Sequence, residues 1–283
     1  MADNPQENLK NNNTIINNNQ AIIHQNINTY SRMILSPKPF EGLIFEFTNN
    51  PLSEIENCTG IIIKQELEFF EFVSGFERNI SYNIFGQTPQ GYKYLFKCIE
   101  NTGCLMRWLC PTDIRSSEMN ILHISSTNND DSKLFANTIK PYKCPCFCLC
   151  RPEIFLTIKE TNEKIGKIKE PFSCCDPIYE IYDNKDNIKY LVNAKCCQCG
   201  LLFANSICGR KGEAIFNIVS PETKEEIGTI AKKTPVMSNG EIDNENYKIT
   251  FPENASTHDK LLIIALGLKI NYQYFEMDPL KII

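Results

Sequence analysis

The run IIIKQELEFFEFVSGFERNISYNIF, from Ile61 to Phe85, is followed by GQTPQG and then by YKYLFKC, which ends at Cys98. Both apolar runs are rich in Ile, Phe, Val or Tyr, and apolar and polar residues partly alternate, which is typical of β-strands. The Gly and Pro residues of GQTPQG interrupt the pattern, as expected of a turn. This stretch therefore predicts a unit of strand, turn and strand.

The same pattern recurs in the second half of the chain. Five further short runs have it: Glu153 to Ile158, Ile178 to Asn184, Lys189 to Val192, Ala214 to Val219 and Tyr247 to Phe251. Polar or glycine-bearing turns separate them. Many short strands with such turns are typical of an all-β sandwich or barrel.

An internal repeat helps to decide between a β-sandwich and a β-barrel. ETNEKIGKIK, from Glu160 to Lys169, matches ETKEEIGTIA, from Glu222 to Ala231, at an offset of 62 residues that also superimposes Cys146 on Cys208. Convergence of polar β-turns on Glu, Thr and Lys is the simpler explanation, but the match extends through the shared I-G-x-I. A duplicated β unit favours a closed barrel, because closure removes exposed strand edges.

Composition limits the function classes. The chain has 283 residues with 42% hydrophobic character, enough for one large β domain or two average ones. Its 29 basic and 34 acidic side chains give a net charge of -5, so no nucleic-acid partner is expected. Residues 1–32 are rich in Asn and Gln and predict a disordered arm without a secretory signal. We therefore expect the fourteen cysteines to lie in the reducing cytosol.

The longest apolar segment lies near the C-terminus. LLIIALGLKINYQYF, from Leu261 to Phe275, is interrupted by Lys269, Asn271 and Gln273. It falls short of the roughly 20 apolar residues that a transmembrane helix needs. We therefore predict a buried helix over residues 258–276.

The cysteines form clusters. In KCPCFCLCR, from Lys143 to Arg151, every second residue is a cysteine, so an extended chain projects all four thiols to one side. We call Cys144, Cys146, Cys148 and Cys150 the cysteine row. A second cluster contains Cys196, Cys197, Cys199 and Cys208, and a third is the pair Cys174 and Cys175.

Several chemistries are open to these thiols. Zinc is disfavoured because only Cys196 and Cys199 have C-x2-C spacing and no histidine (His24, His123, His258) lies near a cluster. No Cys–His catalytic arrangement is recognisable. Core packing of the reduced thiol remains open for Cys58, Cys98 and Cys208. Fatty acylation suits the row better, because Lys140, Lys143 and Arg151 flank it and attract an anionic leaflet.

Taken in order, several motifs resemble the phospholipid scramblase family. They are LEFFEFVSGFERNISYNIFGQ (Leu67 to Gln87), CLMRWLCP (Cys104 to Pro111), KCPCFCLCRPEI (Lys143 to Ile154), IGKI, CCQCG, and FPEN before the apolar segment that ends in YFEMD. The resemblance covers roughly Gly42 to Asp278. It implies a scramblase-like domain over residues 42–278, with a closed antiparallel, Tubby-like β-barrel around the C-terminal helix.

The resemblance also implies sites and a location. It places the protein on the cytoplasmic face of the plasma membrane, with palmitoylation on Cys144, Cys146, Cys148 and Cys150. It places Ca²⁺ on DNENYKITFPEN, Asp243 to Asn254, where Asp243, Glu245 and Asn254 are the candidate ligands. Lys248 and Asn254 stand where an EF-hand loop has Gly and Glu, so we expect weak binding.

Two functions follow as hypotheses. The first is calcium-stimulated movement of phospholipids between leaflets, in both directions, without ATP and without covalent chemistry. It requires that chains form a homo-oligomer or that the barrel opens, because lipid head groups need a polar path. The second is an acylated, membrane-tethered module that binds phosphoinositides through basic residues such as Lys195, Arg210 and Lys211.

Overall fold

The fold comes from a computed structural model. It describes residues 43–44, 50–66, 80–102, 115–124, 132–143, 151–198, 201, 213–232, 237–238, 241–242 and 246–275. The chain divides into a unit of residues 1–41 and a unit of residues 42–283, and all described residues belong to the second unit. The predicted N-terminal arm, residues 1–32, lies outside them.

The described part of the chain is mainly β. Its strands are β1 (Leu43–Ile44), β2 (Gly60–Glu66), β3 (Ser81–Thr88), β4 (Gly91–Glu100), β5 (Ser117–Ile124), β6 (Ser132–Lys140), β7 (Glu153–Ile158), β8 (Glu163–Lys169), β9 (Ile178–Asp183), β10 (Ile188–Asn193), β11 (Ala214–Val219), β12 (Glu226–Lys232), β13 (Met237–Ser238), β14 (Glu241–Ile242) and β15 (Asn246–Thr250). The helices are α1 (Pro51–Glu56) and α2 (Thr257–Ile270), and α2 continues as a π-helical turn, Asn271–Phe275.

Twelve of these strands close into an antiparallel barrel. Their order is β4-β3-β2-β15-β12-β11-β10-β9-β8-β7-β6-β5, and β5 pairs with β4 to complete the ring. Closure gives each of these strands two hydrogen-bonded neighbours, so the barrel leaves none of its twelve strands as an open edge. The predicted closed, Tubby-like barrel is confirmed.

Helix α2 fills the interior of the barrel. Its residues from Asp259 to Ile270 are all buried, which explains why the segment is apolar on every side. The helix begins at a capping box, in which Ser256 Oγ accepts from Asp259 N at 3.2 Å and Asp259 Oδ2 accepts from Ser256 N at 3.0 Å. The buried helix expected from the sequence is confirmed. Among the helices that the structure describes, none is long and apolar enough to cross a membrane.

One end of the barrel is closed by α1, and we call it the capped end. There the buried Lys260 Nζ donates to the carbonyl oxygens of Glu56 at 2.8 Å, Cys58 at 2.9 Å and Ile55 at 3.4 Å. These carbonyls lie at and beyond the C-terminus of α1, where a helix leaves its acceptors unpaired. Lys260 therefore ties α1 to the first turns of α2.

The sequence repeat is also a structural repeat. β7 and β8 match β11 and β12: at the common offset of 62 residues, Asn162 and Lys224 both have a positive φ, 52° and 61°. The register shift that follows Leu156 in β7 has its counterpart after Ile218 in β11. The two copies of the repeat therefore have the same turn conformation and a bulge at the same position.

Candidate functional site

The two ends of the barrel differ in the length of their connections. Opposite the capped end, where α2 leaves the barrel, the strands are joined by residues 67–80, 101–116, 141–152, 170–177, 194–213 and 233–245. At the capped end the connections are shorter: residues 89–90, 125–131, 159–162, 184–187 and 220–225. Long connections on a rigid scaffold commonly carry function.

We call the end with the long connections the cysteine end. Twelve of the fourteen cysteines belong to its connections: Cys104, Cys110, Cys144, Cys146, Cys148, Cys150, Cys174, Cys175, Cys196, Cys197, Cys199 and Cys208. The cysteine row, Cys144 to Cys150, lies outside the described residues, but Lys143 and Arg151 on either side of it are described. The barrel topology thus assigns three separate cysteine clusters to one end.

The two remaining cysteines pack in the core. Cys58 is 2% exposed and Cys98 is fully buried. Burial raises the pKa of Cys58 to about 11 and raises that of Cys98 still further. Both thiols are therefore protonated packing residues, as one interpretation of the sequence proposed, whereas Cys208 lies outside the described residues.

A buried ionic cluster holds the exit of α2 at the cysteine end. Glu170, which follows β8, accepts from Lys269 Nζ at 2.7 Å and from Gln273 Nε2 at 3.2 Å, and it pairs with Arg151. Burial alone raises a carboxyl pKa, but Lys269, Arg151 and Gln273 together outweigh it and lower the pKa of Glu170. The cluster therefore contains a carboxylate, and it joins the end of the helix to two connections.

A second polar contact lies across the barrel. The side chain of Asn271 donates to Tyr82 Oη at 2.6 Å and accepts from Lys232 Nζ at 3.0 Å. Sequence reasoning noticed Lys269, Asn271 and Gln273 only as interruptions of an apolar helix. Lys269 and Gln273 are four residues apart and therefore share one face of the helix, and this spacing was the available signal that they act together.

Exposed apolar side chains stand beside the cysteines. Phe172 is 62% exposed and lies two residues before Cys174, and Tyr142 is 57% exposed and lies two residues before the cysteine row. Ile139, near the end of β6, is 44% exposed. The cysteine end therefore presents exposed apolar side chains next to its cysteines.

The expected positive charge around the cysteine row is smaller than the sequence indicated. Lys140 is buried, Lys143 Nζ lies 3.4 Å from Glu153 Oε2, and Arg151 pairs with Glu170. Carboxylates of adjacent strands, which sequence spacing does not reveal, therefore partly neutralise the basic residues predicted to flank the row. Lys195 at the same end is exposed, whereas Arg210 and Lys211 lie outside the described residues.

The calcium segment is not one loop. Its middle, Asn246 to Thr250, is strand β15, which pairs with β12 on one side and β2 on the other. Asp243 and Glu245 lie outside the described residues, immediately before the end of β15 that belongs to the cysteine end. Asn254 is exposed in a turn beyond the other end of β15. Asn254 therefore does not fit a single coordination loop with the two carboxylates.

In the part of the chain that the structure describes, no group of three or more His, Cys, Asp or Glu residues is arranged to hold a metal ion. A crevice of about 260 Å³ opens at the cysteine end. Its polar lining includes Arg151, Glu170, Ser173, Asp176 and the thiols of Cys175 and Cys196. Chemically, this end offers paired charges, thiols and exposed aromatic rings.

A closed antiparallel barrel of twelve strands around a buried C-terminal helix is the architecture of a Tubby-like barrel. The family model described as Scramblase matches residues 42–277, so the chain belongs to the scramblase family.

Curated relatives carry the same family name. Phospholipid scramblase 4 of Homo sapiens is 22% identical over 231 residues, which cover 81% of this chain and 64% of that protein. Phospholipid scramblase 1 of Homo sapiens is 26% identical, covering 80% of this chain and 64% of that protein. Phospholipid scramblase 2 of Bos taurus is 24% identical, covering 77% and 68%. The chain thus spans about two thirds of the relatives it matches, and no solved structure matches it.

Proposed function

We propose that this protein moves phospholipids between the two leaflets of a bilayer, in both directions, without ATP and without covalent chemistry. It acts from the cytoplasmic face of the plasma membrane, and Ca²⁺ stimulates it. Membership of the scramblase family and the names of the relatives support the lipid-moving activity. We propose the location, the stimulation by Ca²⁺ and the independence from ATP together with this activity.

The observation that carries the proposal is the asymmetry of the barrel. Three cysteine clusters and the exposed rings of Tyr142 and Phe172 belong to one end, while short turns and α1 close the other. A protein that works on a bilayer needs one surface that lies against it. The cysteine end supplies both apolar contact and attachment points for acyl chains.

The interior of the barrel constrains the route of the lipid. Because α2 fills the barrel, a head group passing through its centre would have to displace buried Leu and Ile side chains. We place the path of the lipid head group along the outer wall of the barrel or between two copies of the chain. In the second case, a homo-oligomer forms the lining of the path. A polar lining on both sides of the path lowers the cost of moving a head group across hydrocarbon.

Acylation of the cysteine row is the first testable part of this proposal. Replacing Cys144, Cys146, Cys148 and Cys150 by Ala should reduce the hydroxylamine-sensitive fatty-acid label and lower the fraction of the chain that is bound to membranes. The cause is the loss of buried acyl methylenes, each contributing about 0.8 kcal/mol. Metabolic labelling with fractionation measures both effects.

The matched control replaces the intervening Phe147 and Leu149 by Ala, which changes the same stretch but keeps every thiol. Label and membrane fraction should then match those of the wild type. Undiminished labelling of the four-cysteine variant would mean that the row is not the principal attachment site.

Calcium dependence is the second testable part. We propose Asp243 and Glu245 as the oxygen ligands, completed by lipid phosphate rather than by Asn254. Asp243→Asn with Glu245→Gln should raise the Ca²⁺ concentration for half-maximal lipid movement by about tenfold or more, because removing two charges from a hard-cation site weakens it. Bleaching of a fluorescent lipid in reconstituted vesicles measures the rate.

Asn254→Ala serves as the control, since this exposed side chain lies at the capped end. Its calcium response should equal that of the wild type. A shift with Asn254→Ala that equals the shift of the double variant would contradict this ligand assignment.

A second candidate function is a membrane-tethered module that binds phosphoinositides without moving lipids. The filled barrel favours it, and so does the exposed Lys195 at the cysteine end. The same vesicles separate the two functions. A module floats with phosphoinositide-containing vesicles and leaves the inner-leaflet lipid unbleached.

A further inference from the structure

Two pairs of thiols at the cysteine end lie outside the cysteine row. Cys174 and Cys175 are in the connection from β8 to β9, and Cys196 and Cys197 are in the connection after β10. Two hydrogen bonds join these connections: Cys196 N donates to Asp176 Oδ1 at 2.9 Å, and Ala194 N donates to Pro177 O at 3.1 Å. The fold therefore brings together two cysteine pairs that are 22 residues apart in the sequence.

Three of these four thiol residues face solvent. Cys174, Cys175 and Cys197 are exposed, whereas Cys196 is half-buried. Phe172, immediately upstream in the same connection, is 62% exposed. These exposed thiols beside an exposed aromatic ring differ from Cys58 and Cys98, which are buried in the core. Packing therefore does not account for them.

Other uses of cysteine fit this group less well. The Sγ atoms of Cys196 and Cys197 are 3.6 Å apart, well beyond the S–S bond length of about 2.05 Å. No described residues are arranged to complete a metal site around them. Hydrogen bonding to Cys197 and to Asp176 raises the pKa of Cys196 to about 11, so this residue is a thiol and not a nucleophilic thiolate at neutral pH.

We propose that Cys174, Cys175 and Cys197 form a second S-acylation site that takes long-chain fatty acyl groups. The donor is a long-chain acyl-coenzyme A. A bond forms between the cysteine sulfur and the acyl carbonyl carbon, the thioester bond to coenzyme A breaks, and the thiol proton passes to the coenzyme A sulfur. Nothing is oxidised or reduced. This second site extends the proposed function. It rests on the part of that function in which the cysteine end contacts a membrane.

The consequence is a two-point attachment. One acyl chain binds a bilayer reversibly, and a second signal makes the attachment stable. The cysteine row follows β6, while the second site lies between β8 and β11, so the two sites occupy different arcs of the same end. Chains at both points hold this end of the barrel against the bilayer and resist tilting about either one.

The test counts acyl groups on the full chain expressed in eukaryotic cells. Free thiols are blocked, thioesters are cleaved with hydroxylamine, and the released thiols are tagged with a polyethylene-glycol maleimide that gives a ladder on a gel. The key variant is Cys174→Ser, Cys175→Ser and Cys197→Ser with the row left intact, so that membrane attachment persists. Fragmentation mass spectrometry of the tryptic peptides 170–185 and 196–210 assigns each acyl group to its cysteine, which is needed because the second peptide also contains Cys196, Cys199 and Cys208.

The proposal predicts that the triple variant loses one to three tags from the top of the wild-type ladder, and that both peptides carry acyl groups in the wild type. Cys196→Ser, the matched control in the same cluster, should leave the ladder unchanged. Identical ladders for the wild type and the triple variant would overturn the second site, and so would equal losses in the Cys196→Ser control. Lipid movement in vesicles is measured independently, so failure here is distinguishable from failure of the proposed function.

Discussion

Gly166→Ala is expected to destabilise the barrel by about 3 kcal/mol, at the upper end of the cost of overpacking. A Cβ atom at Gly166 in β8 would lie 2.2 Å from the backbone oxygen of Tyr182 in the neighbouring strand β9. Because the obstacle is backbone and not a flexible side chain, two paired strands have to separate. Thermal unfolding should show a midpoint lower by about 10 °C.

The same substitution in the other repeat provides a comparison. A Cβ atom at Gly228 would lie 2.6 Å from the backbone oxygen of Thr250, so Gly228→Ala should also destabilise the barrel, and by less. Glu163→Ala, at an exposed position of β8, is the control and should unfold like the wild type. A Gly166→Ala protein as stable as this control would contradict the close approach of β8 and β9.

Glu170→Gln is expected to cost about 3 kcal/mol of unfolding free energy, since removing one partner of a buried ion pair leaves an uncompensated charge. The Lys269 side chain is only 5% exposed, whereas that of Arg151 is 32% exposed, so the charge of Lys269 depends more on Glu170 than that of Arg151 does. The double variant Glu170→Gln with Lys269→Met should recover part of the loss. Denaturant unfolding of all three proteins measures these differences.

Glu160→Gln is the control for this change. Glu160 also pairs with a lysine, Lys133, but both side chains are exposed, at 64% and 72%, so no measurable change is expected. Equal losses for the buried and the exposed glutamate would refute the assigned role of the buried cluster.

The buried carboxylate of Glu170 determines the direction in which the free energy of unfolding changes at acidic pH. Because the folded state lowers the pKa of Glu170 below its ordinary value of 4.5, its carboxylate stabilises the fold above that value. The contribution is lost as the pH falls through the lowered, folded-state pKa. The wild type should therefore lose stability in this acidic window more steeply than Glu170→Gln.

The β architecture could be predicted from the sequence because it depends on turns and on the local alternation of apolar and polar residues. The runs at Glu153 and Ala214 are strands with the predicted bounds. Strand β9 ends one residue earlier than predicted, β10 is one residue longer at each end, and β15 is shifted by one residue toward the N-terminus. Strand β6 was not predicted, because SKLFANTIK lacks clean alternation and its neighbours β5 and β7 stabilise it. Helix α1 was also missed, since a six-residue helix has too few turns to show a period.

The site was less readable, because it depends on which strands become neighbours. The sequence identified the cysteine clusters, but only closure of the barrel assigns them to one end. It also identified Lys143 and Arg151 as basic residues that flank the row, but not that Glu153 and Glu170, ten and nineteen residues further along the chain, pair with them. Pairings of this kind follow from strand register, which composition does not encode.

The central claim is that this helix-filled barrel moves phospholipids, and dithionite bleaching tests it most directly. The purified full chain is reconstituted into vesicles that contain a head-group-labelled fluorescent phospholipid, without ATP, with and without Ca²⁺, and flotation verifies that the protein is on the vesicles. We predict that bleaching proceeds beyond the outer-leaflet fraction and proceeds faster with Ca²⁺. Bleaching that stops at the outer-leaflet fraction of protein-bearing vesicles, with Ca²⁺ present, would contradict the proposed function.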